Sequence, residues 1–215
     1  MEKNLEKQLT RAYGLNEVAL VPSDITIDPD LVNISTEIAG IKLKMPIFAS
    51  AMDSVVSPQT AGIIGKCGGA GVLNLEGIQT RYEEPNKILD EIASVEKKDY
   101  VTLMQKIYQN NDIKKELVEH RIKEIKDQNI PAIVSSTPQR AAELGPIAEK
   151  ANADVFVIQS TVVSNNFQSK DGSNGLDIKE FIKSMSIPVM VGNTTTYQVT
   201  LELMRTGIQG VFVGI

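Results

Sequence analysis

Three polar stretches of this 215-residue chain carry side chains suited to holding a ligand. The first is Ala49–Val56 (ASAMDSVV), with Ser50, Met52 and Asp53 in four consecutive positions. The second is Gln159–Asp177, a long run of hydroxyl and amide residues; loops of this kind are frequent binding elements. The third, Gly192-Asn193-Thr194, offers backbone amides where a helix is expected to begin, a place that favours anions. Each stretch alone is compatible with ordinary turn and capping chemistry. All three follow short apolar runs, however, so they share one edge of whatever sheet those runs build, and that common edge points to a joint site.

Other reactive residue types read as structural. Gly65–Gly71 (GKCGGAG) has the composition of a phosphate loop. A dinucleotide fingerprint follows a strand and opens a helix; here a helical segment comes first and a strand follows, so the glycines read as a helix end and a tight turn. Cys67 lies in that turn with no neighbouring base to form a thiolate, and reads as a buried structural cysteine. His120, among Glu116, Glu119 and Glu124, reads as a solvated helix histidine. No metal ligand set is expected, since a zinc site needs several good ligands on one face.

Six apolar runs are the candidate strands: Pro46–Ser50, Gly71–Leu75, Ala132–Ser135, Asp154–Gln159, Pro188–Gly192 and Gly210–Gly214. They are continuous and not alternating, as in parallel strands buried on both faces. Ser57-Pro58 and Thr137-Pro138 each place a hydroxyl before a proline, predicting helices over about Pro58–Lys66 and Pro138–Lys150. Asn193–Thr196 is expected to cap a helix ending near Gly207. Within the charged stretch Tyr82–Asn129, Ile113, Leu117, Val118, Ile122 and Ile125 make one helical face; the charged residues between them read as a solvated face. Strands alternating with helices predict an α/β fold with a parallel sheet. Two architectures fit: an open doubly wound sheet, or a (β/α)8 barrel cut short after its sixth strand, since complete barrels have eight strands and about 250 residues.

Composition narrows the function classes. With 42% hydrophobic and 23% charged residues the chain is ordinary globular protein. The net charge of -5 argues against nucleic acid as the main partner. No apolar run approaches the roughly 20 residues that span a bilayer, and the start (MEKNLEKQLTRAYGL) shows no signal-peptide core. One cysteine excludes an intrachain disulfide and fits a reducing cytoplasm.

Several segments taken together resemble a known family. Arg11–Ser23 (RAYGLNEVALVPS), Met45–Val56 (MPIFASAMDSVV), Gly68–Leu73 (GGAGVL), Ala151–Gln159 (ANADVFVIQ) and Pro188–Ile215 (PVMVGNTTTYQVTLELMRTGIQGVFVGI) resemble the IMP dehydrogenase/GMP reductase family in order and spacing. The resemblance is greatest to the IMP dehydrogenase-related branch without CBS regulatory domains, because Tyr82–Asn129 is too short to hold that pair. It implies a (β/α)8 TIM barrel, here through strand six: a single incomplete domain over 1–215, with 1–44 as an N-terminal extension and 82–129 as a helical segment in place of the CBS insertion. It implies a purine nucleoside monophosphate and a nicotinamide cofactor, NAD or NADP, at the C-terminal face of the barrel. Ser50 and Met52 match positions that touch the nucleotide, with Met52 packing on the purine. Gln159, Ser160, Thr161, Asn193 and Gly214 match positions around the cofactor.

The chain also departs from the family pattern. Gln159 stands where dehydrogenases usually carry Asp, and Phe212 where many carry Arg, so the direction of reaction stays open between IMP to XMP and GMP to IMP. The catalytic cysteine, the monovalent-cation loop and the main phosphate loops of the family lie beyond the position of Ile215. The expectation is therefore an inactive fragment of a cytoplasmic oxidoreductase that is a tetramer by analogy. The alternative is a non-catalytic nucleotide-binding or assembly module, should Ile215 be the true C-terminus.

Overall fold

A computed structural model describes residues 11, 13–164 and 175–214. Residues 165–174, the middle of the long polar loop, and Ile215 lie outside the described residues, as do 1–10 of the extension. The chain divides into two compact units, 1–33 and 34–215. In the first, two short 3₁₀ turns, Leu15–Glu17 and Pro29–Leu31, are capped by local side chains. The Gly14 amide and the Arg11 guanidinium bind the Glu17 carboxylate and hold its pKa below the usual value.

The second unit opens with an antiparallel hairpin, β1 (Thr36–Ile38) and β2 (Ile41–Leu43). Ala39 and Gly40 join the strands with φ of 50° and 76°, the two positive values that a two-residue type I′ turn requires. Sequence patterning left this hairpin inside an undivided extension. The repeated βα pattern then begins: β3 (Phe48–Ala49), α1 (Pro58–Lys66), β4 (Ala70–Asn74), α2 (Pro85–Ser94), α3 (Tyr100–Asn110), α4 (Lys115–Lys126), β5 (Ile133–Ser136), α5 (Pro138–Lys150), β6 (Val155–Gln159), α6 (Ile178–Ser184), β7 (Val189–Thr194), α7 (Tyr197–Met204) and β8 (Gly210–Val213). The last six strands form one parallel sheet in sequential order. This is the α/β architecture expected, with the strand order of a (β/α)8 barrel over six strands.

Burial on both faces explains the continuous apolar runs. One face packs Leu73, Val134, Phe156, Ile158 and Val191 against the helices. The other carries Phe48, Val72, Ile133, Val157, Met190 and Phe212, with Ile38, Ile41 and Leu43 of the hairpin packed on them. The sheet curls so far that Phe48 of its first strand meets Phe212 of its last, edge to face, with ring centroids 6.2 Å apart.

Local chemistry follows the sequence in most places. Ser57 accepts the Thr60 amide and Thr60 returns the bond, a capping box ahead of Pro58. Gly68 stands just past α1 with φ 94°, a conformation glycine enters without strain, so GKCGGAG is the helix end and turn expected. Three expectations are corrected. Thr137 makes no side-chain cap at α5; its amide donates instead to Glu76 Oε1. Cys67 is exposed, not buried: six residues beyond Ala61, it lies about 120° around the helix from the stripe that packs on the sheet. Arg121 is not on a solvated face. Its buried guanidinium donates to the carbonyls of Gln79 (2.9 Å), Tyr82 (3.2 Å) and Glu83 (2.9 Å) and pairs with Glu124 at 2.9 Å. His120 is exposed beside Glu124, as expected.

Candidate active site

Parity along the strands selects the side chains at the C-terminal edge of the sheet. Phe48, Val72, Ile133, Val157 and Phe212 face inward. Successive side chains in a strand alternate faces, so of the residues two positions further on, Asn74, Ser135 and Gln159 share the inward register at the strand ends, while Ser50 and Gly214 lie just past β3 and β8. Three of these five were singled out from sequence. Asn74 and Ser135 were not, although the same two-residue step from an apolar strand position would have found them.

The β3–α1 loop folds on itself. Met52 N donates to Ser50 O, and Val55 N and Val56 N both donate to Met52 O. Ser50 and Met52 are exposed, Met52 at 53%. An exposed thioether beside a free hydroxyl is able to cover a planar apolar ring.

On the opposite side of the curl, β6, β7 and β8 are knitted together at their ends. Ser160 N donates to Gly192 O, Asn193 N to Ser160 O and Val163 N to Asn193 O, at 2.8–3.0 Å. The register slips between Gly192 and Thr194, setting Asn193 out of the ladder, and the Gly192–Asn193 peptide is cis. This corrects one expectation: Asn193 and Thr194 belong to β7 and do not open a helix, and Thr196 caps α7. Gly214 N closes the group by donating to Thr194 O. Buried Thr194 is fixed by Thr200 Oγ1 at 2.8 Å. Among the described residues, no side-chain hydrogen bond engages Gln159, Ser160, Thr161 or Asn193. Two primary amides and two hydroxyls are thus available to an incoming polar ligand.

The structure therefore brings Gln159, Ser160 and Thr161, at and just past the end of β6, beside Asn193 of β7, with Gly214 bonded to Thr194 just past β8. Phe48 and Phe212 touch, and Ser50 and Gly214 each follow two residues further along the chain, just past β3 and β8. A groove of about 400 Å³ lined by Glu119, Lys123, Lys126 and Lys150 lies between the C-terminal ends of α4 and α5. It is away from these strand ends, and its lysines stand where cations complement the helix dipoles. Among the described residues no cluster of three or more His, Cys, Asp or Glu side chains could hold a metal ion, and no helix is long and apolar enough to cross a membrane.

A parallel βα sheet curled around an apolar interior, with uncommitted polar side chains at its C-terminal edge, has the architecture of a (β/α) barrel. The chain belongs to the IMP dehydrogenase/GMP reductase family: the sequence model described as the IMP dehydrogenase / GMP reductase domain matches residues 12–215. Among curated proteins, an uncharacterized oxidoreductase of Mycobacterium tuberculosis is 31% identical over 219 residues, covering 100% of this chain and 58% of the relative. An inosine-5'-monophosphate dehydrogenase of Cryptosporidium parvum is 25% identical over 233 residues, covering 99% of this chain and 52% of the relative. Among solved structures, the crystal structure of an IMP dehydrogenase/GMP reductase-like protein from Corynebacterium glutamicum superimposes with a TM-score of 0.88 at 29% identity, over 100% of this chain and 57% of that one. The chain thus spans between half and three-fifths of the length of these relatives.

Proposed function

We propose that this chain forms the front part of an oxidoreductase that interconverts purine nucleoside monophosphates, IMP to XMP with NAD. Ser50 and Met52 hold the nucleotide. Gln159, Ser160, Thr161, Asn193 and Gly214 line the place of the cofactor. The observation that supports this reading is that both sets follow the C-terminal ends of strands of one parallel sheet, Ser50 and Met52 in the loop after β3 and the others at the ends of β6, β7 and β8. The free amides and hydroxyls at β6 and β7 suit the carboxamide and ribose of a nicotinamide nucleotide, whose chemistry when bound is to exchange a hydride with purine C2. Asn193, displaced from the ladder, and Gln159, inward-facing, orient the ligand without carrying charge. Residues 82–129 stand in place of a regulatory insertion, and assembly as a cytoplasmic homotetramer belongs to the same reading.

Gln159 favours keeping a second direction in view, GMP to IMP with NADPH, because a neutral amide occupies the place of the dehydrogenase carboxylate. Calorimetry with IMP and with GMP, alone and with NAD or NADPH, tests both. Binding of IMP ahead of GMP supports the first direction and the reverse order the second; binding of neither sinks the proposal. NADH formation from IMP and NAD is the readout of turnover in the first direction, and NADPH consumption with GMP that of the second.

A further inference from the structure

Asp53 adjoins Met52, yet its carboxylate is already engaged. Oδ2 accepts the Ile78 amide at 3.0 Å and the Tyr108 phenol at 2.6 Å. Oδ1 is buried against Gly77, so closely that a Cβ there would stand 1.9 Å away. Tyr108 arrives from α3, 55 residues along the chain. A phenol donating to a carboxylate makes a charge-assisted bond, stronger than a neutral one. Arg81 fixes the other side of the tyrosine. Its guanidinium lies 5.3 Å from the ring centroid and donates to the carbonyls of Tyr108 (3.3 Å) and Asn111 (2.6 Å), while Nε holds the Glu76 carbonyl at 2.9 Å. The turn after β4 and the end of α3 thus form one cradle for a single carboxylate of the β3–α1 loop.

We propose that Tyr108 is a positioning residue for the Ser50–Met52 loop: the α2–α4 segment sets the ligand-facing geometry of that loop through the Tyr108–Asp53 hydrogen bond. The assignment rests on the nucleotide reading of Ser50 and Met52. The loop's other anchors lie at its C-terminal end, where Thr60 Oγ1 donates to Val55 O at 3.0 Å and Val56 is buried in the core; the backbone bonds of Ser50 and Met52 are internal to residues 50–56. Removing the phenol leaves Asp53 with one fixed donor and lets the carboxylate turn, carrying Met52 with it.

A bland alternative is that Tyr108 merely helps to hold α3 down. Tyr82 provides the control, because its hydroxyl donates to Ile107 O at 2.8 Å and secures the same helix without touching Asp53. Tyr108→Phe and Tyr82→Phe are compared in the full 215-residue chain by amide hydrogen exchange and by calorimetric titration with IMP and GMP. Tyr108→Phe is expected to speed exchange at 52–56 and weaken nucleotide affinity, each about tenfold, one lost hydrogen bond to a charged group. Exchange in β5–β7 stays unchanged, and Tyr82→Phe leaves loop and affinity near the wild-type values. The proposal is overturned if 52–56 exchange at the wild-type rate in Tyr108→Phe, if Tyr82→Phe reproduces the effect, or if the loop loosens while affinity holds. A wild-type chain that binds neither nucleotide defeats the functional reading by itself; the exchange comparison still decides whether Tyr108 holds the loop.

Discussion

At the scale of the residue, two side chains show how much a single contact decides. Arg121 gives its donors to three carbonyls of the turn after β4 and its charge to Glu124, all from a buried position. Arg121→Ala leaves those carbonyls without partners and is expected to cost about 3 kcal/mol. Arg121→Lys recovers only part, because an ammonium cannot reproduce the planar fork. Urea unfolding of the three proteins checks this; equal midpoints for wild type and Arg121→Ala would refute it. Gly77 is the second case. Its φ is an ordinary −85°, so alanine is not excluded by backbone conformation, but the added Cβ would collide with a carboxylate held by two hydrogen bonds. Gly77→Ala is expected to lose about 1–3 kcal/mol, the range for overpacking. It should also release the loop as Tyr108→Phe does, whereas a Gly77→Ala protein with unchanged exchange at 52–56 would show that Asp53 is not confined there. Neither role was legible in the sequence. Arg121 was one charge in a charged helix, and Asp53 gave no sign that its partner lay on α3.

At the scale of the element, legibility follows how local the determining physics is. The six parallel strands were readable because burial on both faces writes an unbroken apolar run. Ser57 before Pro58 marked α1, since a cap and a fixed proline φ act within one turn. The β1–β2 hairpin escaped because Ala39-Gly40 lacks the Asn or Asp that usually announces a type I′ turn. The placement of Asn193 escaped because a slip in register belongs to the pairing of β7 with β8 and not to either strand alone. The Tyr108–Asp53 link between α3 and the β3–α1 loop carries its own pH signature. Burial first, then the hydrogen bond and charge of Asp53, raise the Tyr108 phenol above its ordinary 10.0, and Arg81 opposes them in part. A group raised in the folded state stabilises fully below its unfolded pKa and loses that contribution as pH climbs toward the folded value. The stability difference between wild type and Tyr108→Phe should therefore be constant from pH 6 to 9 and shrink above about pH 10. Urea midpoints across that range test it; a difference that vanishes near neutral pH would mean the phenol is not the group responsible.

At the scale of the whole molecule, the distribution of exposed apolar side chains is uneven in an informative way. The helices over the middle of the sheet, α4 and α5, present no large exposed hydrophobic residue among those described. The two ends differ. Ile63 on α1, next to the first strand of the sheet, is 62% exposed; at the other end Tyr197 and Met204 on α7 and Val213 on β8 are 81%, 60% and 73% exposed. These are also the ends at which β3 and β8 each pair on one side only among the described residues. Unpaired edges flanked by apolar surface are templates for association. The 215-residue polypeptide is accordingly expected to bind an apolar dye such as ANS and to sediment as concentration-dependent species. The cause can be separated from general loss of structure by placing charge at the two ends. Ile63→Glu and Val213→Lys alter exposed positions that contribute nothing to either packed face, so helical content should be retained while association falls. Val213→Lys tests the β8 edge itself, since a lysine on an edge strand opposes further pairing. Association that persists undiminished in the double variant would place the sticky surface elsewhere, and the exposed Val18–Ile34 segment, with Leu20 101% and Val21 87% exposed, is then the next surface to charge. A monodisperse wild-type monomer with one cooperative melt would instead show that the curled six-stranded sheet is self-sufficient, its hairpin and inward-facing phenylalanines closing the interior unaided.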